Sequence, residues 1–253
     1  MSAPVSASPH QLSLLEPAPA APHNETLVIR ESGRARRLIL RVRPPHSVEV
    51  VVPRRTNPSE VERFISVNRA WIKSAQEDIR RRYPQALRAM PTQVVFPALG
   101  HAWDVTYNTG SVQRAQLRRG EDRLELLLPN QCTDLARRLL RHWLLDMARR
   151  ELKPLLLELS KETGFYCKRV QVRTQRTRWG SCSSTGTISL NAALLFLESG
   201  LIRYLMIHEL CHLKYLNHSR RYWQLVGSLQ PDYRRIDRHL GEAWMNVPSW
   251  AMG

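Results

Sequence analysis

Five consecutive residues, His208, Glu209, Leu210, Cys211 and His212, set two imidazoles four positions apart with a carboxylate between them. On a helix, residues four apart project from one face, one turn above the other. Two imidazoles so placed can bind one tetrahedral zinc ion. Glu209, one residue after the first histidine, can reach a water at the ion's open position. Zinc moves the pKa of such a water towards neutrality, and a nearby carboxylate takes its proton. The HExxH spacing therefore points to hydrolysis assisted by one Zn2+, with His208 and His212 as metal ligands and Glu209 as catalytic base.

A third ligand is needed. His218 follows His212 by six residues, a spacing that metzincins also use. Metzincins turn the chain with a glycine three residues after the second histidine, where this sequence has Tyr215. The helix is therefore expected to continue further, with Asn217 taking a left-handed turn before His218. His239 and Glu242, on a later helical segment, are the alternatives to His218.

The motif needs a helix to carry it. Ile202, Leu205, Met206, Leu210 and Leu213 supply an apolar surface, and Ser199 is a natural N-cap, so a helix is expected from about 199 to 216. Upstream, 170–174 reads as a short strand. The stretch 178–191 reads as two strands joined by the turn Ser183, Ser184, Thr185, Gly186. A long helix is expected over 133–163, with Pro154 kinking or splitting it and Gly164 stopping it.

The first half is richer in strands. Segments 26–30, 38–43 and 48–52 read as a small antiparallel meander, followed by one helix from Asn57 to before Pro84. Strands return at 94–96, 102–107, 112–117 and 123–128. No internal repeat is visible. The expected fold is α+β: a small antiparallel β-rich amino-terminal half, then a helical catalytic core with a short sheet. The expected divisions are a disordered tail at 1–25, a β-rich region with one helix at 26–130, and the metal-dependent region at 131–253.

Composition narrows the class further. The 253 residues are 43% hydrophobic, which suits a globular chain with a sizeable core. No stretch approaches 18 apolar residues, so no membrane partner is expected. The first two dozen residues are rich in Ala, Pro and Ser and lack the basic start and apolar run of a secretory signal, so the cytoplasm is the expected location. The four cysteines show no CxxC spacing, which argues for reduced thiols over a four-cysteine zinc site. Cys182 and Cys211 are read as small buried thiols.

The net charge is +16, from 38 Lys and Arg against 22 Asp and Glu. Such an excess favours a polyanion or nucleic acid as partner, although a solvated Arg-rich surface would look the same. Five of the eleven residues from 168 to 178 are basic: Lys168, Arg169, Arg173, Arg176 and Arg178.

Several separate patches also resemble one family. They are Arg178, Trp179, Gly180, Ser181, Cys182; then Gly186, Ile188, Leu190, Asn191; then the HExxH segment; then Asn217, His218, Ser219 and Trp223. Together they resemble the YgjP-like metal-dependent hydrolases, relatives of the SprT-type zincin metallopeptidases. The resemblance extends to Arg34, Ala35, Arg36, Arg37 and to Trp71, Ile72. It implies a zincin-like core, zinc on His208, His212 and His218, and Glu209 as base. It also implies that the strand beside the active helix pairs with extended substrate. Arg178 could hold an anionic group or a developing oxyanion, or else pair with a carboxylate while Trp179 and Gly180 pack.

Three activities follow as alternatives. The first is peptide hydrolysis, with a polypeptide substrate. The second is hydrolysis of nucleotide phosphoanhydrides, motivated by the basic residues before the active helix, but no Gly-rich phosphate cradle supports it. The third is proteolysis of proteins bound to nucleic acid, as in SprT-type relatives. The sequence assigns no oligomeric state.

Overall fold

The structure is a computed structural model that describes residues 27–33, 35–43, 47–83, 89–129, 132–175 and 177–252. The tail expected at 1–25 lies outside the described residues.

Three small sheets share one wiring. The first comprises β1 (Leu27–Ser32), β2 (Ile39–Arg43) and β3 (Ser47–Pro53), in the order β1-β3-β2. It is not the antiparallel meander expected from the sequence, because β3 lies in the middle, parallel to β1 and antiparallel to β2. The reason is composition. Val48, Val50, Val51 and Val52 of β3 are all buried, while β1 alternates exposed and half-buried residues. The most apolar strand takes the position where both edges are covered. Its one acid, Glu49, is buried and accepts a hydrogen bond from Arg30 Nε at 2.8 Å.

Two helices follow where one was expected: α1 (Pro58–Val67) and α2 (Arg69–Arg82). Asn68 makes the break. Its side-chain Nδ2 donates to the Phe64 carbonyl at 2.8 Å, competing with the helical ladder. Val50, Val52 and Val61 form a small apolar cluster of their own, flanked by Phe64 and Ile65.

The second sheet holds β4 (Gln93–Phe96), β5 (His101–Thr109), β6 (Gln116–Arg119) and β7 (Arg123–Leu128), in the order β4-β5-β7-β6. Its third strand starts at Gln116, later than the expected 112. The sheet packs on α3 (Thr133–Thr163) through an aromatic cluster, with ring centroids of Phe96, Trp103 and Trp143 5.4–5.5 Å apart. Of the expected kink or split at Pro154, the split does not occur, and helix α3 runs unbroken through the proline. Leu152 and Leu156, fully buried on either side of the proline, hold both halves against the core and outweigh the lost backbone bond. Gly164, at φ +71°, stops the helix.

The third sheet positions the site. It contains β8 (Arg169–Arg173), β9 (Gly180–Cys182) and β10 (Thr187–Asn191), in the order β8-β10-β9. Strands β9 and β10 are antiparallel, joined by the expected turn, while β8 runs parallel to β10. The fully buried turn Ala192–Phe196 leads into α4 (Ser199–Cys211), followed by α5 (Arg220–Leu229) and α6 (Tyr233–Glu242). A single apolar core joins the second sheet, α3, the third sheet and α4 to α6. The fold is α+β, and among the described residues no helix is long and apolar enough to cross a membrane.

Candidate metal centre

Helix α4 is buried on most sides, with Leu201, Ile202, Leu205, Met206 and Leu210 in the core. It ends at Cys211, five residues before the expected end near 216. His212 is the C-cap but keeps right-handed helical angles (φ −67°, ψ −16°), so its ring still leaves the same face as that of His208. The chain then tightens, as Leu213 N bonds Leu210 O at 3.0 Å and Lys214 N bonds Cys211 O at 3.1 Å. This tight turn replaces both the longer helix and the expected left-handed Asn217. Among the described residues, Arg55 is the only non-glycine with a positive φ.

The turn brings His218 back over the helix. His218 Nε2 lies 3.1 Å from His208 Nε2, and one ring nitrogen from each of His208, His212 and His218 falls within 4.8 Å of the others. A tetrahedral ion with Zn–N bonds of about 2.0–2.1 Å needs its nitrogens about 3.4 Å apart, so the donor set suits such an ion. His212 Nδ1 lies 2.9 Å from the Tyr215 carbonyl. That contact makes Nδ1 the protonated nitrogen and leaves Nε2 as the free donor.

The other two ligand candidates are elsewhere. His239 and Glu242 line a separate cleft with Ile79 and Trp244.

Burial keeps the imidazoles neutral, the form that binds metal. It pulls His208 down to about 3, and the neighbouring His212 and His218 add to the effect. His212 is also lowered by burial, against the raising influence of the Tyr215 carbonyl. His218 is lowered by burial too, opposed by the charge of Asp237.

Glu209 is 4% exposed and points to β9. A Cβ built on Gly180 would fall 2.7 Å from Glu209 Oε1, so only glycine leaves room for the carboxylate there. Glu209 Oε2 is buried with no hydrogen-bond partner. Burial pushes this carboxyl up to about 8, and the positive charge of Arg178 partly opposes the shift. An orphaned buried carboxylate beside three convergent imidazoles is costly for a fold and useful for proton transfer.

Arg178 is exposed. Its backbone is held by Asn191, whose Nδ2 donates to the carbonyls of Gln175 at 2.7 Å and Arg178 at 2.9 Å. Trp179 is core: its Nε1 donates to the Leu240 carbonyl and its ring stacks on Trp244 at 4.0 Å. Arg169 and Arg173 lie on β8, with β10 between them and the strand that touches Glu209. Arg176 lies outside the described residues.

Of the two thiols near the site, Cys211 is buried as expected, whereas Cys182 is only half-buried. Burial pushes Cys182 up to about 11, helped by Glu209, and pushes Cys211 up to about 12.

Sequence reasoning missed Tyr222. This fully buried residue stacks on His212 at 4.5 Å, and its hydroxyl donates to the His208 carbonyl at 3.1 Å. The available signal was its position four residues after His218, in the first turn of a helix capped by Ser219. Asn191 was visible only as part of the family pattern.

Three imidazoles that could hold a metal ion, beside a buried carboxyl, make this a candidate centre for metal-dependent hydrolysis. The model of the YgjP-like metallopeptidase domain matches residues 36–243, and the chain belongs to that family. Two solved structures are similar over part of the chain. One is the metallopeptidase zymogen abylysin of Pyrococcus abyssi, 30% identical, covering 38% of this chain and 98% of that one, with a TM-score of 0.33. The other is the metallopeptidase zymogen jannalysin of Methanocaldococcus jannaschii, 18% identical, covering 36% and 95%, also with a TM-score of 0.33. No similar protein is found among curated sequences.

Proposed function

We propose that the chain is a zinc-dependent peptidase in which His208, His212 and His218 hold one zinc ion and Glu209 is the general base. The observation that carries this reading is the convergence of three imidazoles beside a buried carboxyl oxygen with no partner. When bound, zinc supplies Lewis acidity that polarises a carbonyl and acidifies water. Glu209 takes a proton from the attacking water and later delivers it to the leaving amine. Its raised proton affinity suits both steps. Arg178 stands where its charge is felt at Glu209, and it stabilises negative charge developing on the carbonyl oxygen.

The substrate is an extended polypeptide. Strand β9 is the edge of its sheet, and among the described residues no strand covers its outer side. A peptide pairing there would run beside Glu209 and the histidines. The four cysteines are free, which supports a reducing compartment such as the cytoplasm.

The test uses zinc-loaded protein, with an unfolded protein and nucleoside triphosphates as parallel substrates. Cleavage of the unfolded protein alone, lost on chelation and restored by zinc, is the expected result. Phosphate release from nucleotides without proteolysis would overturn the peptidase reading.

A further inference from the structure

Away from the histidines, α3 and β8 flank an open surface cleft of about 520 Å³. Arg149, Arg150 and Lys153 line it from the helix, and Arg169 and Arg173 line it from the strand. Its remaining lining is Val170, Gln171 and Val172, so five cations face it and no carboxylate does. Arg149 and Arg150 pair only with Asp146 and Glu151 of their own helix, at 3.0 and 3.6 Å. Lys153, Arg169 and Arg173 have no carboxylate within 4.0 Å among the described residues. Arg173 instead donates to Gln171 Oε1.

Five like charges crowded into one cleft repel one another, and a fold gains nothing from them without an anion. We propose that this cleft docks the phosphate backbone of nucleic acid. Three features point to that occupant. First, Arg169 and Arg173 are four residues apart on an extended strand, about 13 Å, and the helical cations lie across from them. The charge is spread along a track, which suits a chain of anions better than one phosphate. Second, four of the five cations are guanidinium groups, whose forks match phosphate oxygens. Third, β8 pairs on one side only, so its outer backbone N–H groups are open to further acceptors.

No aromatic ring lines the cleft, so bases have nothing to stack on. Binding reads the backbone and carries no sequence preference. In the sheet, β8 and β9 are two strand spacings apart, about 10 Å. Strand β10 thus separates the proposed track from the strand that touches Glu209.

The experiment measures binding of a fluorescein-labelled 20-nucleotide oligothymidylate to the full chain by anisotropy across a salt series. Single-stranded nucleic acid loses affinity with a log–log salt slope of about −0.7 per phosphate contact, so five contacts give about −3.5. R169S/R173S on the strand and R149Q/K153Q on the helix are made separately and together. Each pair is expected to flatten the slope by about 1.4 and the combination by about 2.8, with affinity falling by about tenfold or more. R81S/R82S, which removes two exposed arginines of α2, is expected to leave the slope unchanged. Unaltered melting temperature and zinc content show that each variant folds.

The proposal is overturned if the combined variant keeps the wild-type slope, or if R81S/R82S flattens it equally. It is also overturned if polyglutamate of equal charge, or vesicles of anionic lipid, displace the oligonucleotide at equal charge concentration. The occupant would then be an acidic peptide or a membrane surface.

Discussion

Gly180 and Glu209 stand so close that a single added methyl would lie 2.7 Å from the carboxylate oxygen. The glycine is at an ordinary extended position, so it is needed for space and not for backbone freedom.

Gly180→Ala is therefore expected to push Glu209 aside while leaving the three histidines in place. Activity should fall by about tenfold or more, since a displaced base loses much of its contribution. Zinc content, measured by atomic absorption, should stay near one per chain. Loss of zinc along with activity would mean that the glycine supports the whole helix.

Glu209→Gln separates catalysis from folding. Turnover should drop by about 100-fold or more. The metal-free variant should melt higher than the wild type, because a carboxylate oxygen buried without a partner destabilises the fold. A melting temperature equal to or below wild type would contradict that account.

Tyr222 makes two separable contacts. Tyr222→Phe keeps the ring against His212 but removes the bond to the His208 carbonyl, costing about 1 kcal/mol of stability. Tyr222→Leu removes the ring as well and should weaken zinc binding by about tenfold or more. Competition with a coloured chelator reads the difference. Equal zinc affinity in both variants would show that the ring does not orient the imidazole.

Acid should destabilise the metal-free Glu209→Gln variant, in which the opposing effect of Glu209, pushed up to about 8 by burial and so stabilising as pH falls, is removed. The unfolded chain takes up a proton at His208 near pH 6.5, whereas the folded chain resists until about 3. Stability is thus complete above 6.5 and is lost progressively as pH falls below it. At pH 5.5 the loss from His208 alone is about 1.4 kcal/mol. His212 and His218 shift in the same direction. Melting curves of that variant from pH 7.5 to 5.5 test this, and adding His208→Leu should flatten the dependence.

The active helix and the two histidines on it were legible because a four-residue spacing encodes a shared face directly. The β9–β10 hairpin was legible from its turn residues. What failed was decided by competition between distant parts. The end of α4 depended on a tight turn at His212, not on apolar periodicity. The place of β3 in its sheet depended on which strand was most apolar. The continuity of α3 depended on core contacts flanking Pro154. Tyr222 was invisible because a tyrosine's partners, here a carbonyl and an imidazole on another helix, leave no local mark.

The common wiring of the three sheets has a kinetic meaning. In each, two neighbours in sequence form a hairpin, and an earlier strand joins the hairpin's second strand in parallel: β1 to β3, β5 to β7 and β8 to β10. The hairpins close over short turns, a process of microseconds, whereas a parallel partner must return across a longer loop. Refolding should therefore protect the amides of β2–β3, β6–β7 and β9–β10 before those facing β1, β5 and β8. Gly180 belongs to one of the early hairpins. The wall that Glu209 packs against is thus built before the sheet behind it is complete.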